Sequence, residues 1–226
     1  MPTLHVVATP IGNLADITVR ALQILTDVDR IACEDTRQTL KLLNHYQIKN
    51  RLLSYHGHNE RQASAKIVRC LDDGEDIALV SDAGTPGISD PGSIVVQEVR
   101  RAGYSISPVP GPSAPMALLS VSGASTRSIS FAGFLSSKRG RRRKQLCDLL
   151  AEKRGIVMFE SPHRVRATLE QINEIDPDRK VLLGREMTKY HEEFVEGVAA
   201  DLLTLLSERG KILGELTLFL PVAPGR

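Results

Sequence analysis

The chain has 226 residues, 42% apolar and 25% charged, a balance that suits a folded protein with one large or two small domains and excludes disorder. A net charge of +2 excludes a polycation, so any nucleic-acid contact must come from a local cluster. No apolar run approaches the roughly 20 residues of a membrane span. The N-terminus carries no basic-then-apolar leader, and three widely spaced cysteines lack a CxxC pair; together these point to a cytoplasmic protein with reduced thiols.

Leu4 to Ala8 reads as a strand that ends in Thr9-Pro10-Ile11-Gly12-Asn13. Asp16 then offers an N-cap, and Ile17, Ala21, Leu22, Ile24 and Leu25 follow at helical spacing. Ile31 to Cys33 is a second strand, ending at Glu34-Asp35-Thr36-Arg37, and Leu52-Leu53 leads to Ser54-Tyr55-His56-Gly57-His58. Asn59 is placed to cap a helix through Leu71, closed by Gly74. Ile77 to Val80 reads as a buried strand. Behind it runs a loop dense in Gly, Pro, Ser and Asp, from Ser81 to Gly92, longer than a connection needs. Val95, Val96 and Val99 mark a helix ended by Gly103, and Tyr104 to Val109 is another strand. Alternating strands and helices predict a mostly parallel sheet covered on both faces. Pro110-Gly111-Pro112 interrupts both helix and sheet, so we expect an N-terminal α/β domain over 1–112 and a C-terminal one over 113–226. In the second half, helices are expected over Met116–Val121, Arg141–Ala151, Val165–Ile172 and Leu202–Leu206. Strands are expected over Ile129–Phe131, Ile156–Phe159, Val181–Leu183 and Glu215–Val222.

If the first strands are parallel, their polar, Gly/Pro-rich ends gather at one edge as a single cleft. The sequence holds neither GxGxxG nor GxxxxGK[ST], which disfavours a dinucleotide or an NTPase phosphate cradle. The main loop carries Asp82 and Asp90 and no Lys or Arg, so it suits a cationic or neutral ligand and repels phosphate. His56 and His58 form an HxH without a third ligand, and no metal is expected. Six cations in seven residues, Lys138, Arg139, Arg141, Arg142, Arg143 and Lys144, open a helix whose dipole they oppose, which suggests contact with a phosphate backbone. Aromatic residues are 4% of the chain, so phosphate contact and shape are expected in place of a stacking platform.

Five stretches taken together resemble one family: Thr9 to Leu14, Glu34 to Arg37, Ser81 to Gly92, Glu160-Ser161-Pro162-His163-Arg164 and Arg185-Glu186-Met187-Thr188-Lys189. They are similar to the small-subunit ribosomal RNA methyltransferase I group of the tetrapyrrole methylase superfamily. The likeness runs from about Leu4 to Pro221. It implies two α/β domains, the first mostly parallel and the second mixed, with a cofactor cleft between them. It also implies S-adenosylmethionine as cofactor, 2′-O-methylation of a cytidine ribose, small-subunit ribosomal RNA or the assembled subunit as partner, and a homodimer. The cofactor residues it implies are Pro10, Ser81, Asp82, Ala83, Gly84, Thr85, Ile88, Ser113, Ala114, Phe159, Leu213 and Gly214. Members often carry a further basic helical tail, whereas this chain stops at Arg226.

A ribose hydroxyl is a poor nucleophile and needs a proton acceptor. Lys189, Glu186, Glu34, Asp35 and His56 have suitable chemistry. Glu34 or Glu186 is the expected base and Lys189 the orienting cation, while Arg37, Arg164 and Arg185, with the six-cation run, are expected to hold RNA phosphate. Two alternatives stand beside this: a tetrapyrrole C-methyltransferase, and a non-catalytic RNA-binding or ribosome-assembly module.

Overall fold

Strand–helix alternation dominates both halves of the computed structural model, which describes residues 1–57 and 59–222. The chain divides into two compact units, Met1–Ser113 and the residues from Ala114 onward.

The first unit is a five-stranded parallel sheet in the order β3-β2-β4-β1-β5. Its strands are β1 (Thr3–Val7), β2 (Arg30–Cys33), β3 (Arg51–Ser54), β4 (Ile77–Val80) and β5 (Ser105–Val109). All four residues of β4 are buried, as a central strand covered on both faces requires. Helices α1 (Val19–Asp27) and α2 (Thr36–His45) cover one face through Ala21, Leu25, Leu42 and Leu43. Helices α3 (Glu60–Asp72) and α4 (Ser93–Arg101) cover the other through Ala63, Ile67, Leu71, Val95 and Val99. The connections after β1 and β2 therefore leave on one face and that after β4 on the other. Central β4 lies between two strands whose exits run opposite to its own, which is where open α/β sheets form ligand crevices.

The second unit carries a mixed sheet in the order β6-β7-β10-β8-β9. Its strands are β6 (Ile129–Phe134), β7 (Gly155–Glu160), β8 (Lys180–Arg185), β9 (Glu193–Val198) and β10 (Leu216–Leu220). Strands β6 and β7 are parallel, and β10 runs antiparallel to both β7 and β8. Alternation sorts the side chains. Ile156, Met158, Leu216, Leu218 and Leu220 join α6 (Arg139–Ala151), α7 (Val165–Ile175) and α8 (Ala199–Glu208) in the larger core. Val157, Leu182 and Phe219 face the other way and meet Leu118 of α5 (Ala114–Ser120).

Two local expectations are corrected, and two elements are added. Asp16 does not cap α1. It lies in a short 3₁₀ turn, Leu14–Asp16, capped by Asn13, and the cap of α1 is Thr18, whose Oγ1 accepts from Ala21 N at 3.1 Å. Asn59 precedes α3 but turns its Oδ1 to His56 N at 2.7 Å, leaving the helix without a side-chain cap. Helix α2 and strand β9 were not expected at all: α2 is polar apart from its leucines, and β9 is an edge strand with Glu193 and Glu196 in its sequence.

Candidate functional site

The loop after β4 is tied along its whole length. Thr9 N donates to Gly84 O at 2.8 Å and Gly84 N to Thr9 O at 3.0 Å, a two-bond bridge between the loops after β1 and β4. Thr9 Oγ1 donates to Ser81 O at 3.1 Å, and Thr85 Oγ1 to Pro112 O at 3.4 Å, which adds the loop after β5. Asp35 N donates to Asp82 Oδ1 at 3.0 Å, adding the loop after β2. Buried Tyr55 reaches from the end of β3, its hydroxyl donating to Val80 O at 3.0 Å and Pro91 O at 3.3 Å. The five polar strand ends do gather at one edge. Gly84 and Gly92 have φ of +78° and +132°, the left-handed region that favours glycine, and a Cβ on Gly92 would stand 3.4 Å from Gly87 N and from Leu79 Cδ2.

Sequence reasoning missed Glu60. Only 8% exposed, it accepts from Gly92 N at 2.7 Å and Ile94 N at 3.1 Å through one oxygen, Oε1. This carboxylate supplies the first turn of α4 with the acceptor that its glycine N-cap cannot. A lone Glu opening α3 gives no sequence sign of a partner 32 residues on.

The site is acidic. Asp35 caps α2 through Arg37 N, and the Arg37 guanidinium together with that N–H holds its carboxyl down at about 2. Arg37 is therefore already paired, across 2.7 Å. Glu34 behaves oppositely: burial pushes its carboxyl up, and the charges of Asp82, Asp90 and Asp35 push it further. Asp90 is also raised by burial, against a hydrogen bond from Ser81. Of the expected cofactor residues in this unit, Ser81 and Gly84 are buried, Pro10, Thr85 and Ser113 half-buried, and Asp82, Ala83 and Ile88 exposed. No group of His, Cys, Asp and Glu among the described residues could hold a metal, and His58 lies outside them.

In the second unit, Ala114 opens α5 and Phe159 sits in β7, its ring 5.3 Å from those of Phe131 and Phe134. Glu186 follows β8 in the left-handed region at φ +50°. Its Oε1 accepts from Lys189 Nζ and from Glu215 N, each at 2.9 Å. Burial would raise this carboxyl, but those two donors outweigh it and hold it below the ordinary range. Lys189 also lies 3.2 Å from Glu215. A Cβ on Gly214 would fall 2.5 Å from Glu186 Cγ, so this glycine is what lets the Glu186 side chain lie flat against the turn, with exposed Leu213 beside it. Glu186 is thus a loop fastener with depressed basicity.

Three of the residues expected to hold RNA phosphate have partners within the unit. Arg142 is 4% exposed and points inward, its Nε donating to Gln171 Oε1 at 2.8 Å. Arg164 clamps buried Glu160 at 2.9 Å while its Nη1 donates to Leu135 O at 3.1 Å. Arg185 pairs with Glu193 at 3.0 Å. Helical periodicity explains the first: α6 must bury one residue per turn, and Arg142 lies on the same face as Leu146 and Leu150. Lys138, Arg139, Arg141, Arg143 and Lys144 remain exposed.

A family model for tetrapyrrole (corrin/porphyrin) methylases matches residues 3–203. A protein of Neisseria meningitidis serogroup B named ribosomal RNA small subunit methyltransferase I is 49% identical over 96% of this chain and 75% of its own length. Its namesake in Thermotoga maritima is 47% identical over 97% of this chain and 98% of its own. The chain belongs to the ribosomal RNA small subunit methyltransferase I family. Among solved structures, a uroporphyrin-III C-methyltransferase from Thermus thermophilus complexed with S-adenyl homocysteine shares the fold at TM-score 0.67 and 15% identity, over 98% of this chain and 97% of that one. No helix among the described residues is long and apolar enough to cross a membrane.

Proposed function

We propose that this chain is an S-adenosylmethionine-dependent methyltransferase that modifies small-subunit ribosomal RNA on the 2′-hydroxyl of a cytidine ribose, as a cytoplasmic homodimer. The observation that carries the reading is the pre-tied acidic loop after β4. Its polar side chains are carboxylates and hydroxyls with no cation, a set that attracts a sulfonium and hydroxyl-bearing groups and repels a nucleotide phosphate. The names of the relatives and the ligand in the Thermus structure agree with it.

The bound cofactor would supply an already activated methyl group, so alignment and proton removal are what remains for the protein. The residues that would hold it are Pro10, Ser81 to Thr85, Ile88, Ser113, Ala114, Phe159, Leu213 and Gly214. Glu34 is the better base of the two expected. Its carboxyl is raised and no hydrogen-bond donor is among the causes of its shift, whereas Glu186 is held down by two donors. Lys189, kept protonated by Glu186 and Glu215 against its burial, would orient the ribose or its phosphate.

The test is transfer of labelled methyl from S-adenosylmethionine to purified small subunits lacking the modification, with mass mapping of the product. One methyl on a ribose oxygen is expected. Cofactor binding without transfer to subunit or free RNA would leave an assembly module, and transfer to a base or a tetrapyrrole would replace the substrate. A second expected result concerns α6. The triple variant Arg139→Ala/Arg141→Ala/Lys144→Ala removes three exposed cations and spares Arg142. Its RNA affinity should fall steeply and the log–log salt slope should shrink by about two, with cofactor affinity unchanged. Equal RNA affinity across salt concentrations would remove α6 from the interface.

A further inference from the structure

We propose that the β8–β9 loop grips an unpaired RNA nucleotide, Tyr190 stacking on the base, His191 set edge-on beside that ring, and Lys211 with Arg209 holding the adjoining phosphate. This rests on the RNA reading above and adds a stacking contact to it. The tyrosines supply the first observation. Tyr46, Tyr55 and Tyr104 each place the hydroxyl on a partner: Leu14 O, Val80 O and Asp72 Oδ1. Tyr190 is 96% exposed, and its ring partner is His191, at 4.9 Å and 83°. An aromatic so placed buries almost none of its surface in the fold.

The loop that carries Tyr190 is built rather than loose. Glu186 and Thr188 both hold left-handed backbone angles. Lys189 N donates to Glu186 O, Glu192 N to Lys189 O, and Thr188 N to Glu192 Oε2 at 2.6 Å. The Lys189 ammonium ties the loop to Glu186 and Glu215. Such a loop presents the ring in a fixed place, so little ordering entropy is lost on stacking.

Beside it lies a cleft of ≈ 470 Å³ with Arg185, His191, Arg209 and Lys211 in its lining, and it continues to Leu213 and Gly214, the two residues of that segment given to the cofactor above. That is ample for one nucleotide. Arg185 and Arg209 share the carboxylate of Glu193, while Glu186 and Glu215 share the ammonium of Lys189, so these charges balance one another. Exposed Lys211 has no carboxylate partner among the described residues. His191 joins the two parts, lining the cleft while its ring edges Tyr190. An aromatic face next to a lysine that no carboxylate holds is the chemistry that recognises a splayed nucleotide.

Fluorescence anisotropy of the full chain with a labelled single-stranded oligoribonucleotide tests this. Tyr190→Ala should weaken binding by about tenfold at every salt concentration with the salt slope unchanged. Tyr190→Phe should restore it. Lys211→Ala should weaken binding and reduce the slope by about one. Blunt duplex RNA, whose base faces are hidden, should bind Tyr190→Ala and the parent alike, and calorimetry with S-adenosylmethionine should give the same affinity for all variants. Parental affinity of Tyr190→Ala for single-stranded RNA would overturn the inference alone. If that variant kept its RNA affinity but changed from dimer to monomer, the ring would belong to a contact between copies and the inference would fail. A parent chain that binds no RNA would remove the functional reading and this inference together.

Discussion

Glu34→Gln should lower methyl transfer by about 100- to 10,000-fold, the range general bases contribute, while S-adenosylmethionine still binds. Gln keeps the shape and loses the proton acceptor. In the parent, the rate should rise with pH through the Glu34 ionisation, which burial and the charges of Asp82, Asp90 and Asp35 place above the ordinary glutamate range. In the variant that limb should vanish. The effect on stability has the opposite sign. A carboxyl whose pKa is raised by folding binds its proton more tightly in the native state, so its contribution is most favourable below the unfolded pKa and fades as pH rises through the folded one. At neutral pH the variant, freed of that charge, should melt no lower than the parent. Single-turnover rates across pH, beside melting curves, check both. A variant with parental rate at all pH values would take Glu34 out of the chemistry.

Arg164→Ala should destabilise the second unit by about 3 kcal/mol, the low end for breaking a buried ion pair. Glu160 is 2% exposed and would lose the guanidinium at 2.9 Å, keeping its bonds from Ser161 N and Thr168 Oγ1. Leu135 O would lose its donor as well. Arg164 itself is about a quarter exposed, so solvent can reach the gap and the upper end is not expected. The melting midpoint should drop by about 10 °C, given the slope usual for chains of this size. RNA affinity per folded molecule should not change, since the guanidinium is committed inside the unit. A variant of parental stability with weakened RNA binding would return Arg164 to the interface.

The N-terminal sheet was legible because each of its strands is a short apolar run closed by Gly, Pro, Ser or Asp. The long loop from Ser81 to Gly92 was legible because its composition has few other uses. What could not be read was direction. Arg142 and Arg141 are neighbours in one charge run, yet 100° of helical turn sends one inward to Gln171 and the other to solvent. Glu186 reads like a base and is a fastener, because its donors, Lys189 and Glu215 N, come partly from a segment 29 residues away. Strand β9 stayed hidden because it pairs with β8 alone and carries Glu193 and Glu196. Tyr190 was visible as a letter but not as an exposed ring at a loop apex.

The bonds from Thr9, Tyr55, Glu60 and Thr85 leave the segment after β4 no second outline to adopt. On the proposed reading a guest meets walls already in place, and discrimination takes the form of refusal: a molecule of the wrong contour finds no yielding side. Drift in this enzyme's appetite for other donors would have to begin not among the lining residues but at the distant struts, Tyr55 and Glu60, that keep those walls upright.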